Sequence, residues 1–335
     1  NELSQAFTAY NTRIVAPPHG SMLPMSPVRK NILMVACALG LLIPVVIIFI
    51  CENMNTRVRG RKDLESVTVP FIGEIPLFTR KKKGIFRKKP QEVRAIVVKE
   101  GSRDIINEAF RVLRTNLEFM TGKDKTSNVI IMTSFNPGSG KSFLTMNIAV
   151  SLAIKGKKVL VIDGDLRHAS ASSYIDSPTK GLSDYLGGRI DNLNEIIVTN
   201  PKQKYLDILP VGTIPPNPTE LLFDDRLKQV IDTVREQYEY VLIDCPPIEL
   251  VADTQIIEKL ADRTIFVVRA GLLELSMLAE LEKIYGEKKY KNMSLILNGT
   301  EGSGGRYGYR YGYRYGYHYG YGSEYHYGSD EKYIE

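Results

Sequence analysis

A glycine-rich stretch between an apolar run and a helical pattern constrains this chain more than any other feature. It occupies residues 134–142, reads SFNPGSGKS, and follows the β-branched run at residues 129–132. Behind it, Leu144, Ile148 and Leu152 recur every four residues, as on the buried face of a helix. A strand, a glycine-rich turn and a helix in this order predict a phosphate-binding loop. A plain tight turn before a helix is the alternative.

The residue types in this loop match what phosphate binding needs. Small residues let backbone N–H groups approach phosphate oxygens, Lys141 would reach the β- and γ-phosphates, and the Ser142 hydroxyl would face Mg²⁺. The common pattern has glycine at the position of Phe135. The residues expected to hold the nucleotide are Pro137, Gly138, Ser139, Gly140, Lys141, Ser142 and Phe143.

Two later apolar runs end in carboxylates. Residues 159–162 lead into Asp163 and Asp165, and residues 240–243 lead into Asp244. Parallel strands deliver their last residues to one edge of a sheet, where ligands bind, so these aspartates would lie beside the loop. One such Asp is commonly a turn former or a helix cap. Three of them beside a phosphate loop predict a site for a nucleotide and Mg²⁺.

Alternating strand and helix patterns from about residue 92 to residue 300 predict a doubly wound α/β domain with a mostly parallel sheet, as in P-loop NTPases. Further strand candidates are residues 206–209, 264–268 and 294–297. The net charge of +6 comes from local clusters and does not predict a nucleic-acid partner. The three cysteines and four histidines have neither zinc spacing nor a disulfide pattern.

The N-terminal part has the pattern of a membrane-anchored chain. Residues 1–30 are proline-rich and predict an extended linker, and the first residue, Asn rather than Met, predicts a fragment or a processed product. Residues 31–51 carry no charge and are long enough to span a bilayer. Residues 52–91 predict a basic juxtamembrane linker that either contacts anionic lipid or is only solvated. The basic excess after the span predicts that the domain of residues 92–300 is cytoplasmic.

The composition changes abruptly after residue 300. Residues 301–335 hold eleven of the nineteen tyrosines, and residues 302–328 contain no aliphatic side chain. Such a segment cannot bury a core and is predicted to be disordered. It is either a sticky aromatic tail or a row of phosphate acceptors on a tether. Three arginines are interspersed among its first tyrosines: Arg306, Arg310 and Arg314.

Together, these motifs resemble those of the bacterial tyrosine kinases of capsular and exopolysaccharide biosynthesis. Residues 134–142 resemble the modified Walker A loop of that family, residues 163–167 its Walker A′ motif, and residues 243–247 its Walker B motif. The tyrosine-rich C-terminus is similar to its autophosphorylated tail. Residues 14–76 resemble the end of a chain-length determinant, for which a first membrane helix and a periplasmic domain are expected upstream.

The chain departs from the family pattern in two places. His168 and Ala169 stand where a basic residue and a proline often follow Arg167, which affects the expected loop shape. Cys245 stands where a hydroxyl residue is common, next to the expected metal ligand. Asn298, after the last strand, would contact adenine by resemblance to related ATPases, or is a turn residue.

The resemblance implies an ATP-dependent protein-tyrosine autokinase that phosphorylates its C-terminal tyrosines and regulates polysaccharide polymerisation and export. ATP and Mg²⁺ are its expected cofactors. The implied catalytic residues are Lys141, Asp163 and Asp165, with Asp163 orienting or deprotonating the phenol. The implied metal ligands are Ser142, Asp165 and Asp244.

The resemblance also implies partners. Glu108, Arg111 and Arg114 fit the E-x-x-R-x-x-R helix through which the family forms ring-like homo-oligomers. Without the resemblance, these three residues equally fit a solvated face. The remaining expected partners are the polysaccharide export machinery, a protein-tyrosine phosphatase and the bacterial inner membrane, with residues 1–30 on the periplasmic side and the kinase domain in the cytoplasm.

Two rival interpretations remain, a second kind of enzyme and a protein that is not an enzyme. A partition- or septum-site-type ATPase shares the fold and the association with membranes. It carries an extra lysine early in the phosphate loop, however, where this chain has Asn136. It also lacks a tyrosine tail. A non-catalytic regulator would bind nucleotide only to switch the assembly of the export machinery.

Overall fold

The structure is a computed structural model in which five segments are described: residues 28–53, 56–78, 95–122, 128–248 and 252–301. The chain divides into two compact units, Asn1–Asn55 and Thr56–Glu335. The proline-rich stretch before residue 28 and the tyrosine-rich tail after residue 301 lie outside the described residues, as do the basic runs of residues 79–94.

Within its described residues, the first unit contains one helix, α1, which spans Arg29–Asn53. Residues Arg29–Ile50 of this helix have a mean hydropathy of 3.0, and none of them is buried among the described residues. A helix of this length and composition is long and apolar enough to cross the hydrocarbon core of a bilayer. Pro44 lies inside the helix, a position that membrane helices tolerate. The expected apolar helix is confirmed, with two more residues at each end.

The second unit is organised around a sheet that has eight strands within the described residues. The strands are β1 Phe71–Pro76, β2 Val129–Thr133, β3 Val159–Asp163, β4 Val198–Thr199, β5 Leu206–Leu209, β6 Tyr240–Asp244, β7 Arg263–Arg269 and β8 Ser294–Thr300. Their order across the sheet is β1-β8-β7-β2-β6-β3-β5-β4. Neighbours pair in parallel except β4 and β5, which pair antiparallel. The mostly parallel α/β fold is therefore confirmed.

Helices cover both faces of this sheet. They are α2 Ile105–Thr121, α3 Lys141–Ile154, α4 Leu182–Leu186, α5 Pro218–Leu222, α6 Asp225–Gln237, α7 Asp253–Glu258 and α8 Met277–Gly286. One core packs α2 and α3 against one face, and the other packs α6, α7 and α8 against the opposite face. Successive residues of β2 alternate between these cores: Val129 and Ile131 join the second, and Ile130 and Met132 join the first. Because both faces are covered, the inner strands are continuously apolar.

The sheet begins earlier in the sequence than its composition predicts. β1 lies within residues 52–91, the expected linker, and pairs in parallel with β8. Val58, Leu64 and Val69 ahead of it are buried in the same core as the α6 face. The α/β domain therefore starts near residue 56 rather than residue 92, which corrects the expected boundary. The β1 sequence, FIGEIP, has no run of β-branched residues and lies between basic segments. The sequence pattern therefore did not predict a strand here.

Helix α2 has a clear start and one buried face. The Asp104 carboxylate accepts a 2.8 Å hydrogen bond from the backbone N–H of Asn107, which caps the helix. Phe110, Leu113 and Leu117 follow at helical spacing and are buried against the sheet. This fixes the opposite face of α2 toward solvent.

Candidate functional site

The carboxyl ends of the central strands surround a cavity of about 510 Å³. The loop after β2 forms its floor, and residues at or near the carboxyl ends of β3, β6, β7 and β8 form much of its wall. This is the edge at which a doubly wound sheet binds ligands. The structure thus brings together the phosphate loop, Asp165, Asp244 and Asn298, as their positions at strand ends predict.

The phosphate loop is held in an open curve by its own polar groups. The hydroxyls of Ser134 and Ser139 donate to the carbonyl of Asn136 at 2.8 and 2.7 Å. Gly138 and Gly140 have φ values of +74° and +87°, which favour glycine. The next turn is helical, so several backbone N–H groups and the positive end of α3 are directed at the cavity. This arrangement suits an anion.

Phe135 occupies the position at which the common motif has glycine. Its ring packs edge-on against Phe266, with 4.8 Å between the ring centroids, and it is buried in the core under the sheet. The side chain therefore points away from the cavity and does not obstruct the loop.

Lys141 is the first residue of α3 and is almost fully buried at the cavity. Its ammonium donates to the Ser134 hydroxyl at 3.2 Å. The carbonyl of Lys141 accepts from the Thr145 hydroxyl at 2.9 Å, which fixes the first turn of the helix. The side chain is thus positioned beside the place where phosphate would lie.

Asp244 ends β6 and has a buried carboxyl group. Both of its carboxylate oxygens are buried and accept no hydrogen bond from any described residue. Burial raises its pKa, whereas the neighbouring Ser142 hydroxyl and Lys141 ammonium act to lower it. A buried carboxylate without partners is costly unless a cation or a proton compensates it. The residues present therefore fit a bound cation.

Few side chains at this cavity offer oxygen donors to a cation, which matches magnesium. Asp165, Asp244 and Ser142 line the same cavity. The described residues contain no group of three or more His, Cys, Asp or Glu side chains arranged to hold a metal. Mg²⁺ is commonly bound by one or two carboxylates, with phosphate oxygens and water completing its shell. The donor set fits a metal that arrives with a nucleotide.

The loop after β3 wraps around the carboxylate of Asp165. Its Oδ1 atom accepts from the backbone N–H groups of Arg167 and His168 at 3.3 and 3.2 Å, and it lies 3.2 Å from His168 Nδ1. Ala169 follows with φ of +49°, in the left-handed region. The departure from the family pattern at His168 and Ala169 thus gives a tight turn that keeps Asp165 at the cavity wall.

Asp163 lies behind this wall rather than in it. Its Oδ2 atom accepts from the Ser172 N–H and the Ser172 hydroxyl at 2.7 and 2.6 Å. Burial raises its pKa, and the nearby charge of Asp244 raises it further. The carboxyl group thus joins the end of β3 to Ser172, at the far end of the loop that follows it. Its expected contact with a phenol stays a prediction.

Asn298, at the end of β8, holds the phosphate loop. Its amide donates a 2.8 Å hydrogen bond to the carbonyl of Ser139. A side chain at Gly140 would collide with this amide. The role in adenine contact expected from the sequence is not tested by this geometry, but a positioning role is visible.

Several cavity residues were not expected from the sequence. Arg269 ends β7 at the same edge as the aspartates, so the rule that found them also points to it. Leu77 and Phe78 follow β1, which was not expected to be a strand. Ser170 and Tyr174, from the loop and the short helix after β3, complete this part of the wall.

The three charged residues on α2 lie away from the cavity and contact their own subunit. Arg111 pairs with Glu108 at 2.5 Å and donates to the Ser102 carbonyl at 2.6 Å. Arg114 donates to the Ser151 carbonyl of α3 at 2.8 Å. All three side chains remain partly exposed. A role in assembly stays a prediction.

The chain is similar to known proteins over most of its described length. Residues 127–295 match a family of AAA domains. The tyrosine-protein kinase YwqD of Bacillus subtilis is 35% identical over 209 residues, which cover 62% of this chain and 87% of YwqD. The putative tyrosine-protein kinase AmsA of Erwinia amylovora is 32% identical over 294 residues, which cover 84% of this chain and 39% of AmsA.

Solved structures show the same likeness. The kinase domain of the Escherichia coli tyrosine kinase ETK has a TM-score of 0.64 at 29% identity, covering 79% of this chain and 100% of that domain. The BceF tyrosine kinase domain has a TM-score of 0.61 at 30% identity, covering 72% of this chain and 99% of that domain. The chain spans between 36% and 41% of the length of the first curated relatives that it matches.

Proposed function

Since this chain belongs to the bacterial tyrosine kinases of the capsule and exopolysaccharide family, we propose that it transfers the γ-phosphate of ATP to tyrosines of its own C-terminal tail. The observation that carries this proposal is the placement of Lys141, Asp165 and Asp244 around one cavity with the phosphate loop. Eleven tyrosines follow the last strand of the same domain.

The nucleotide would lie along the phosphate loop. The backbone amides of residues 137–143 and the Lys141 ammonium would hold its phosphates. Leu77 and Phe78 give the cavity an apolar wall that suits a purine base. The amide nitrogen of Asn298 is used by Ser139, so its oxygen would accept a hydrogen bond from the adenine amino group.

Ser142, Asp165 and Asp244 would hold Mg²⁺ together with the phosphates. When bound, the metal supplies neutralisation of the charge on the phosphate oxygens. The chain itself contributes orientation and charge. Phosphoryl transfer depends mainly on such positioning, because the transferred group needs little covalent help.

Asp163 is our candidate for orienting the incoming phenol and accepting its proton. A pKa raised by burial suits a proton acceptor near neutral pH. To reach a phenol, its carboxyl group would release the two hydrogen bonds from Ser172. The Asp163→Asn chain should then bind nucleotide normally but transfer phosphate slowly.

The proposed setting is a ring-like homo-oligomer at the bacterial inner membrane. Helix α1 would cross the membrane and leave the α/β domain in the cytoplasm. Glu108, Arg111 and Arg114 would contact a neighbouring subunit near its nucleotide site. The cycle of phosphorylation, opposed by a tyrosine phosphatase, would regulate polysaccharide polymerisation and export.

Incubation with γ-labelled ATP tests the function directly. Labelled phosphotyrosine on the protein supports the kinase. Release of free phosphate alone would instead identify a partition-type ATPase, and neither product would identify a non-catalytic regulator. The Lys141→Met chain is the control for contaminating kinases.

A further inference from the structure

A surface at the carboxyl edge of the sheet combines exposed apolar and acidic side chains. It belongs to the connection between β5 and α6, and we call it the 214–225 surface. Ile214 is 56% exposed and Phe223 is 65% exposed, although both are large apolar residues. The exposed members of this surface are Ile214, Pro216, Asn217, Glu220, Phe223, Asp224 and Asp225.

The acidic side chains of this surface are not neutralised by the described residues. Asp224 caps α6 by accepting from the Arg226 N–H at 2.8 Å. The Arg226 guanidinium pairs with Asp191 instead. Among the described residues, no ion pair includes Glu220, Asp224 or Asp225. The surface therefore presents three negative charges around an exposed aromatic ring.

A network of hydrogen bonds fixes this surface beside the phosphate site. Arg167, two residues after Asp165, donates to the Asp253 carboxylate at 3.1 Å and to the Thr219 hydroxyl at 3.0 Å. The Thr219 hydroxyl in turn donates to Asp253 at 2.6 Å. Asp253 is fully buried. Thr219 lies inside the 214–225 segment, so the surface is anchored to the loop that carries Asp165.

We propose that the 214–225 surface docks the first part of the tyrosine tail, residues 302–322 of this or a neighbouring copy; the inference rests on the kinase activity proposed above. Residues 302–322 contain three arginines and no acidic residue, and the first acidic residue after them is Glu324. The charges of this segment complement those of the surface. Its tyrosine rings would pack on Ile214 and Phe223 while the arginines pair with the carboxylates.

The length of the tail permits this contact. β8 and β5 are separated by five strand spacings, which is about 24 Å. The six residues from Thr300 to Arg306 span at most about 20 Å, whereas the fourteen residues to Arg314 span up to about 48 Å. The backbone of an extended tail is therefore long enough to bring Arg314 to the surface of its own subunit, whereas the backbone at Arg306 falls short of it. A neighbouring subunit at similar distance is equally accessible.

Docking of this kind would end once the tail is phosphorylated. Each phosphate adds about −1.5 to −2 charges at neutral pH, so two of them cancel the positive charge of residues 302–322 and three reverse it. The acidic surface then repels the segment. The product leaves, and an unmodified tail takes its place.

The test measures phosphorylation of a synthetic peptide of residues 302–322. The enzyme is the full chain in detergent, with its own tail tyrosines replaced by Phe and its tail arginines by Gln, so that this tail neither accepts phosphate nor competes. A Glu220→Gln, Phe223→Ala, Asp225→Asn variant should raise the peptide KM about tenfold, with kcat and the KM for ATP unchanged. A peptide with its three arginines replaced by Gln should show a severalfold rise on the unchanged surface. The two changes together should give less than the product of the single rises, because both remove the pairing of arginines with carboxylates and only the Phe223 contact is independent of it.

The matched control removes an aromatic ring and two exposed carboxylates elsewhere on the domain. Tyr205→Ala, Asp232→Asn, Glu236→Gln should leave the peptide KM unchanged. The two peptides compared on the unchanged surface decide the question even if the surface variant does not fold. Equal KM values for them, or fully additive effects, would overturn the docking site.

Binding of the labelled peptide, read by fluorescence anisotropy, separates this inference from the kinase proposal. Tighter binding of the arginine peptide than of the Gln peptide supports docking even if no phosphotyrosine forms, in which case only the kinase proposal fails. A peptide phosphorylated at three tyrosines should bind at least tenfold more weakly than the unmodified one. Equal binding of these two would contradict release by phosphorylation.

Discussion

The side-chain amide of Asn298 donates a 2.8 Å hydrogen bond to the backbone carbonyl of Ser139. This bond joins the end of β8 to the middle of the phosphate loop, two residues before Lys141. The amide is 1% exposed, so no water replaces it easily. The conformation of the loop therefore depends on a residue more than 150 positions later in the chain.

Replacing Asn298 by Leu should weaken ATP binding about tenfold. The change leaves the Ser139 carbonyl without its donor, and an unsatisfied buried group costs about 1–3 kcal/mol. Isothermal titration of the full chain with ATP measures the effect. Asn116→Leu is the matched control, because Asn116 donates a similar bond to the Ile72 carbonyl far from the cavity. Equal losses of affinity in both variants would show that the loop does not depend on Asn298.

Lys141→Met should abolish phosphotyrosine formation, by at least a hundredfold, without unfolding the domain. The lysine compensates charge on the phosphates rather than packing the core. Lys157→Met, which removes an exposed lysine paired with Glu239, is the control and should retain activity. Immunoblotting for phosphotyrosine and thermal unfolding are measured on the same samples. Near-normal autophosphorylation of the Lys141→Met chain would contradict the assignment of residues 134–142 as the loop that binds the phosphates of ATP.

The sequence predicts the centre of this fold well because its signals there are local. The apolar runs of β2, β3 and β6 are buried on both faces, and the residues that end them meet at one cavity. Parallel pairing alone brings Asp165, Asp244 and Asn298 to the loop. These predictions needed no knowledge of side-chain packing.

The predictions fail where contacts between residues far apart in the sequence determine the local structure. β1 is a strand because it pairs with β8, which its own residues do not reveal. Leu77 and Phe78 could not be placed at the cavity without that strand. Asp163 ends β3 as expected, but Ser172 binds it from a loop whose course depends on the turn at Ala169. The periodic pattern of apolar residues along the sequence does not show which distant residues make such contacts.

Because the Asp104 carboxylate caps α2, the stability of the domain should decrease at acidic pH. Hydrogen bonds from the side chain and then the backbone of Asn107 lower the pKa of Asp104 below its ordinary value of 3.8. The folded state thus favours the ionised carboxylate. Its contribution is fully present above about pH 4 and is lost as the pH falls through the lowered value.

Asp104→Ala should accordingly lower the free energy of unfolding by about 1 kcal/mol at pH 7. The difference from the unchanged chain should shrink as the pH falls below 4. Thermal unfolding between pH 3 and pH 7 measures it. Asp232→Ala, an exposed Asp within α6, is the control. A difference that grows toward low pH would contradict the sign of the pKa shift.

Replacing Glu108, Arg111 and Arg114 together by Ala should reduce both oligomer size and autophosphorylation. Arg114 also contacts Ser151 of its own subunit, so part of its effect is on packing. Glu108→Ala with Arg111→Ala leaves the Arg114 contact intact and removes two partly exposed charges that pair with each other, so it separates the assembly effect from the Arg114 packing. Light scattering gives the size. An unchanged oligomer in the triple variant would contradict a role for this helix face in assembly.

The most direct test of the whole account asks whether this nucleotide site phosphorylates the tail of another copy. A Lys141→Met chain with its intact tail is mixed with an active chain whose eleven tail tyrosines are replaced by Phe, and γ-labelled ATP is added. The account expects labelled phosphotyrosine in the tail of the Lys141→Met chain, and none when that chain is incubated alone. An unlabelled tail in a mixture that binds ATP and forms mixed oligomers would contradict transfer between subunits.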